Sequence, residues 1–120
     1  MSTDRELLQA AAKAAGIEAH YPFGPSEIYV RFAGPWAFRD TSDDQGALKA
    51  WNPLEDDGDA LRLAVKLRLE IAPQCYRAGF VEVYMEHTNP IAEPVGTDPY
   101  AATRRAIVRA AAALGEQHDQ

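Results

Sequence analysis

The first part of the chain has apolar residues at the spacing of a helix. Thr3 and Glu6 have the spacing of a capping box, in which each side chain satisfies a free amide at a helix start. Gly16 is the residue type that most often ends a helix in the left-handed conformation. The pattern predicts a helix over residues 4–15. Its apolar stripe consists of Leu7, Leu8, Ala11, Ala14 and Ala15. The small alanine side chains would let the helix lie close to a sheet.

The next regular pattern has a period of two, which is typical of a strand. Residues 27–32 alternate so that Ile28, Val30 and Phe32 share one face, while the polar residues between them share the other. A Gly-Pro turn follows, and residues 36–39 are predicted to form a second short strand. One face of this strand pair is therefore expected to lie on the core.

A second pair of alternating segments lies in the later half of the chain. Residues 67–71 and 80–86 alternate between apolar and polar positions, and the loop between them predicts an antiparallel hairpin. Residues 87–96 contain Pro90 and Pro94, and we predict an extended connection there.

The stretch between the two strand pairs is the predicted centre of the fold. Trp51 supplies an indole to anchor the chain, and Pro53 can enter a helix only at its first turn. Asn52 is one candidate for the helix cap, and Asp56 or Asp57 is the other. We therefore expect Trp51, Asn52 and Pro53 to form a structural anchor that leads into a helix.

The helix that follows this anchor has both acidic and apolar positions. Leu61, Ala64 and Val65 have helical spacing and predict its buried face. Its first turn carries carboxylates that are stabilised by the positive end of the helix dipole, which explains them without a metal ion or catalysis. They are Glu55, Asp56, Asp57 and Asp59.

The last predicted helix begins at Asp98 and Pro99, a cap followed by proline at the first helical position. It is predicted to run to about Leu114 and to stop before Gly115. Its predicted buried stripe consists of Tyr100, Ile107, Val108, Ala111 and Leu114.

These elements predict a single domain over residues 1–120 that belongs to the α+β class. The element order is α-β-β-α-β-β-α, and we expect a layered sandwich of three helices packed on a largely antiparallel sheet of about four strands. A chain of 120 residues is long enough to bury one hydrophobic core.

Composition and charge narrow the classes of partner. The formal charge of −6 argues against broad nucleic-acid binding, which needs clustered lysine and arginine. No apolar run approaches the length of about 20 residues that spans a bilayer, and the polar start of the chain does not have the pattern of a signal peptide. We therefore expect a cytoplasmic protein that does not bind a membrane.

The residues that could carry catalysis do not form a known pattern. Cys75 is the only cysteine and has no nucleophile motif around it. His20, His87 and His118 lack the spacing of metal ligands. We expect no enzyme activity, no cofactor and no metal site.

The connections between elements contain the best candidates for a contact surface. Aromatic residues flanked by prolines can form rigid anchors, and nearby carboxylates can attract a basic partner. The candidate partner-binding residues are Tyr21, Phe23, Trp36, Asp40, Asp43 and Asp44. A competing interpretation is that the aromatic side chains cover the edge of the core.

Three arginines on the last helix offer an alternative site. Arg104, Arg105 and Arg109 could contact the phosphates of an anionic ligand such as a nucleotide. Arginines on a terminal helix are, however, usually solvated or paired with nearby carboxylates.

Three segments of the chain resemble the phage ABA sandwich domain family, whose members are small proteins of tailed phages and prophages. They are Leu7–Leu8 with Ala11–Ile17, Trp51–Leu54 with Asp56–Ala64, and Ala101–Ala112. The resemblance follows the same order over nearly the whole chain, and its Trp-Asn-Pro start is the most specific part. It implies a sheet between helical layers and a phage accessory origin, and it implies no catalytic residues.

The resulting hypothesis is a non-enzymatic phage accessory protein that acts by binding a host bacterial protein. Phage accessory genes often encode inhibitors of bacterial defences, including CRISPR inhibitors, so an inhibitor of an anti-phage defence component is the first expectation. A protein that binds or sequesters a nucleotide signal is the alternative. A self-associating structural or regulatory phage protein is the third.

Overall fold

The computed structural model describes residues 3–22, 24, 27–31, 48–75, 79–86 and 88–117 and has an α+β fold. In chain order its elements are α1 (Asp4–Ala15), β1 (Ala19–His20), β2 (Tyr29–Arg31), β3 (Leu48–Ala50), α2 (Asp57–Leu67), β4 (Glu70–Cys75), β5 (Phe80–Met85), β6 (Thr88–Pro94) and α3 (Pro99–Gln117). The predicted strand at residues 36–39 lies outside the described part of the chain.

The strands form two separate antiparallel sheets. The first sheet has the order β1-β2-β3, and the second sheet has the order β4-β5-β6. The prediction of a single sheet of about four strands was therefore wrong. One reason is β6, which was predicted to be a connection because of Pro90 and Pro94. An edge strand tolerates proline, since its outward N–H groups need no partner strand.

Helix α1 occupies the residues that the capping pattern predicted. The Thr3 N–H donates to Glu6 Oε1 at 2.8 Å, and the Glu6 N–H donates to Thr3 Oγ1 at 3.1 Å. Hydrogen bonding to Thr3 holds the pKa of Glu6 below its ordinary value, with the larger effect from the Thr3 backbone and the smaller one from its side chain. Gly16 ends the helix at φ 71°, a conformation that glycine adopts without strain.

The alanines of α1 pack on α3 rather than on a sheet. Ala11 and Ala12 are buried, and the contact with α3 is the most extensive between any two described elements. Gly115 lies so close to α1 that a Cβ atom there would be 2.0 Å from the carbonyl oxygen of Ala10. Gly115 therefore allows two helix backbones to approach closely, and α3 continues past it to Gln117.

Helix α2 presents a different face to the core from the predicted one. Leu61 and Val65 are 61% and 63% exposed, whereas Leu63 and Ala64 are buried. The prediction was confirmed for Ala64 and wrong for Leu61 and Val65, because the apolar residues of α2 form a stripe that is wider than the face packed on the core. The cap is Asp56, and the helix continues to Leu67, where a strand was predicted to begin.

Helix α3 lies between the second sheet and the other two helices. It packs on the inner face of that sheet, where Val81 and Val83 are fully buried, and its other side contacts α1 and α2. Tyr100 was predicted to be buried and is 72% exposed, because it lies in the first turn of α3 beyond the edge of the core.

The layers also differ from those that the family resemblance implies. The resemblance implies a sheet between helical layers, whereas α3 is the only described element that packs extensively on the second sheet. We call the face of that sheet opposite to α3 the outer sheet face. The alternation and register of the strands identify the residues on it. Among the residues whose side chains are described, those on this face are Glu70, Ala72, Phe80, Glu82, Tyr84, Pro90, Ala92 and Pro94.

Candidate functional site

Three adjoining cavities form an open groove where the three helices begin. The first, of about 500 Å³, and the second, of about 300 Å³, share Leu8, Ile28, Asn52 and Glu55 in their walls. The third, of about 390 Å³, shares Glu55 with both and extends to the start of α3. We call this continuous feature the helix-start groove.

The helix-start groove combines apolar walls with a surplus of carboxylates. Leu8, Ile28 and Leu54 supply apolar surface, and Arg5 and Arg105 supply the positive charge among the lining residues. The lining carboxylates are Asp4, Glu27, Glu55, Asp56, Asp59, Glu93 and Asp98. The balance of charge makes the groove negative, so it favours a cationic ligand over an anionic one.

The turn between β3 and α2 builds the central wall of the groove. The Trp51 side chain lies in the core and the residue is 2% exposed. The backbone N–H of Trp51 donates to the Ile28 carbonyl at 2.9 Å. Asn52 Oδ1 accepts from the Leu54 N–H at 3.1 Å, and Asn52 Nδ2 donates to Glu55 Oε2 at 3.1 Å. Pro53 is also buried. These bonds hold the Glu55 carboxylate at the rim.

Asp59 joins this turn to α2 from inside the groove wall. Its side chain is buried, with Oδ2 accepting from the Asn52 N–H at 2.9 Å and Oδ1 accepting from Arg62 Nη2 at 2.7 Å. The sequence pattern indicated only that Asp59 is a charge at the positive end of the helix dipole. The only signal of its second role was the helical spacing of three residues between Asp59 and Arg62, which many solvated pairs also have.

The three arginines of the alternative site lie in ion pairs. Arg104 Nη1 donates to Asp57 Oδ1 at 2.7 Å, and its Nε donates to the Leu54 carbonyl at 2.9 Å. These contacts connect α3 to the groove wall. An anionic ligand at Arg104 would have to displace both partners.

Arg105 and Arg109 converge on one carboxylate of β6. Arg109 Nη1 lies 2.5 Å from Glu93 Oε2, and Arg105 Nε lies 3.8 Å from Glu93 Oε1. Arg105 Nη2 also donates to Asp4 Oδ1 at 3.1 Å. These pairs tie α3 to α1 and to the second sheet, and the anionic-ligand alternative stays a prediction that requires their displacement.

Tyr21 is the one predicted partner-binding residue that lies in the described part of the chain. Its ring is half-buried at the edge of the core, where Gln9 Nε2 donates to its hydroxyl at 2.7 Å. The Arg5 guanidinium lies over the ring, 5.2 Å from the centroid. Outside the described residues lie Phe23, Trp36, Asp40, Asp43 and Asp44.

The helix-start groove was not predicted from the sequence. The helix caps Thr3, Asp56 and Asp98 were recognisable as separate signals. The three helix starts lie side by side because of the way α1, α2 and α3 pack together. A capping pattern contains no information about that packing.

The described residues include neither a metal-binding cluster nor a membrane-spanning helix. They contain no cluster of three histidine, cysteine or acidic side chains arranged to hold a metal ion. None of the described helices is both long and apolar enough to cross a bilayer.

Comparison of the chain with protein families, curated proteins and solved structures finds no match. The resemblance to the phage ABA sandwich domain family therefore stays a prediction.

Proposed function

We propose that the protein acts by binding a basic segment of a partner protein in the helix-start groove. The observation that carries this proposal is the surplus of carboxylates over arginines along an open groove with apolar walls. Carboxylates attract a basic segment during encounter, and the apolar surface contributes affinity once water is displaced.

The groove is held in shape before any partner arrives. Asp56 and Asp98 accept hydrogen bonds from backbone N–H groups at helix starts, and Arg104 links α3 to the turn before α2. A preformed groove loses less conformational entropy on binding than a flexible one does. This supports recognition by a rigid surface on which exposed carboxylates such as Glu27 and Glu55 are displayed.

The role we propose is that of a phage accessory protein that inhibits a bacterial anti-phage defence component. The role comes from the family resemblance, and the groove supplies a means of blocking a basic surface on such a component. Many defence components must bind nucleic acid, and a surface that binds phosphates is rich in lysine and arginine. An acidic groove is complementary to that chemistry.

A plating assay tests this proposal. The chain is expressed in bacterial strains that each carry one defence system, and the efficiency of phage plating is measured with and without expression. We expect plating to rise in at least one strain. The variant Glu27→Gln/Glu55→Gln should lose this effect, because it removes negative charge from the groove while retaining hydrogen-bonding groups.

The matched control is Glu18→Gln/Glu116→Gln, which makes the same change of charge at two exposed carboxylates outside the groove. It should raise plating as the unmodified chain does. Equal activity of both double variants would contradict a role for the groove. Failure of the unmodified chain in every strain would contradict the inhibitor role.

A further inference from the structure

The outer sheet face is largely apolar, although no described element packs extensively on it. Six of its eight residues have apolar or aromatic side chains, and Ala92 and Pro94 are exposed. Tyr84 lies on the central strand and is 41% exposed. Small alanines, Ala72 and Ala92, lie opposite Glu82 on the two neighbouring strands.

The charge of the outer sheet face is negative, and the arginines of α3 do not neutralise it. Strands β4, β5 and β6 contain no lysine or arginine. Arg105 and Arg109 pair with Glu93, which lies on the inner side of the sheet beside α3. The sheet itself separates these arginines from Glu70 and Glu82.

The edges of the second sheet are poorly suited to pairing with another strand. Pro73 lies in edge strand β4 at a register shift, and Pro90 and Pro94 lie in edge strand β6. Proline has no backbone N–H to donate, and it blocks addition of a further strand. Recognition at this sheet would therefore use its face.

The geometry around Tyr84 matches the chemistry of an arginine side chain. The Tyr84 hydroxyl donates to Glu82 Oε1 at 2.9 Å, and Glu70 lies directly opposite Tyr84 in the strand register. A guanidinium can stack on an aromatic ring while its N–H groups bond a carboxylate. The chain already has a stacked pair of this type, in which Arg5 lies over the Tyr21 ring.

We propose that the outer sheet face is a second docking surface, which binds an exposed arginine of a basic partner protein between Tyr84, Glu82 and Glu70. A second copy of this chain does not fit, because face-to-face packing would bring like carboxylates together. Nucleic acid does not fit either, because its phosphates would meet the same carboxylates. This proposal shares the basic partner of the proposed function and uses a different surface from the groove.

The test is an NMR titration of the isotopically labelled chain with a short, end-blocked peptide of alternating arginine and glycine. We expect the amides of Glu70, Glu82 and Tyr84 to shift. The corresponding lysine peptide should bind about two- to fivefold more weakly, because an ammonium gains less from stacking on an exposed ring. High salt should weaken the binding of both peptides, because salt screens exposed charges.

Variants separate stacking from general attraction. Tyr84→Ala should weaken the binding of the arginine peptide by about two- to fivefold. Tyr84→Phe should keep most of the affinity, because the aromatic ring is retained. Tyr100→Ala is the control, since Tyr100 is an exposed tyrosine that belongs to α3 and not to a strand of the second sheet. It should bind the arginine peptide as the unmodified chain does.

The same spectra distinguish this proposal from the groove proposal. Shifts confined to Asn52, Glu55 and Asp98 would overturn the outer sheet face as a docking surface and support the groove. Shifts at neither surface would overturn both. Shifts of the sheet residues that depend on protein concentration without peptide would identify a second copy as the occupant and overturn the arginine proposal.

Discussion

Gly115→Ala adds a methyl group at the closest approach of two helices. The new Cβ would lie 2.0 Å from the Ala10 carbonyl oxygen and 2.9 Å from the carbonyl carbon. A carbon and an oxygen that are not bonded approach to about 3.3 Å, so α1 and α3 would have to separate locally by about 1.3 Å. The obstructing atoms belong to the backbone, so a change of side-chain rotamer cannot relieve the overlap.

The expected cost follows from the packing of this helix pair. A gap of about 1 Å forfeits up to about half of the dispersion energy between facing atoms, and overpacking a core costs about 1 to 3 kcal/mol or more. Alanine regains about 1 kcal/mol of helix propensity relative to glycine. We therefore expect the free energy of unfolding to fall by about 2 kcal/mol, taking the upper part of the overpacking range.

Thermal and urea unfolding followed by circular dichroism measure this loss. For a chain of this length, about 2 kcal/mol lowers Tm by about 8 °C. Gly58→Ala is the control, because a Cβ there would meet only side-chain atoms, of Asp56 at 3.2 Å and of Arg62 at 3.4 Å, which need to move by only a few tenths of an ångström. It should leave stability unchanged or raise it by up to about 1 kcal/mol.

A second variant tests whether the obstruction comes from the backbone. Ala10→Gly combined with Gly115→Ala should be no more stable than Gly115→Ala alone, since the Ala10 carbonyl remains in place. A Gly115→Ala protein as stable as the unmodified chain would refute the close approach of α1 and α3. Rescue by Ala10→Gly would refute the assignment of the overlap to the backbone.

Three further predictions concern the other structural features. Asp59→Ala should lower the free energy of unfolding, measured by urea titration, by about 2 to 3 kcal/mol. The reason is that it removes the buried carboxylate that bonds the Asn52 N–H and the Arg62 guanidinium. Asp59→Asn should lower the free energy of unfolding by less. Leu63→Ala should cost about 2 to 5 kcal/mol and Leu61→Ala less than about 0.5 kcal/mol, and the reverse order would show that α2 faces the other way. Glu6 has a lowered pKa in the folded state, so its stabilising contribution is present above its ordinary value near 4.5 and is lost as pH falls through the folded value. Glu6→Gln should therefore show a smaller loss of Tm on acidification than the unmodified chain does.

Local signals predicted the ends of some elements well. Thr3, Glu6 and Gly16 bounded α1 because capping depends on residues within one turn of each other. The same reasoning identified Asp56 as one of the candidate caps for α2 and Asp98 with Pro99 as the start of α3. It misjudged Gly115, because a glycine that ends a helix and one that admits a neighbouring backbone look the same in sequence.

The faces of the elements were less predictable than their ends. Leu61 and Val65 have the spacing of a buried stripe, but Asp59 and its bonds to Asn52 and Arg62 turn the other side of α2 inward. Prolines in β6 suggested a connection, because the edge position that accommodates them is a property of the assembled sheet.

Short patterns of residues were enough to predict the α+β class, the three helices and the caps of α1 and α3, since these follow from interactions between residues a few positions apart. Three features could not be predicted in this way: the division of the strands into two sheets, the acidic groove at the three helix starts, and the sheet face that the described helices leave uncovered. These features arise from contacts between residues far apart in the chain. Their free energies depend on how whole surfaces fit together, and no short pattern of residues encodes that fit.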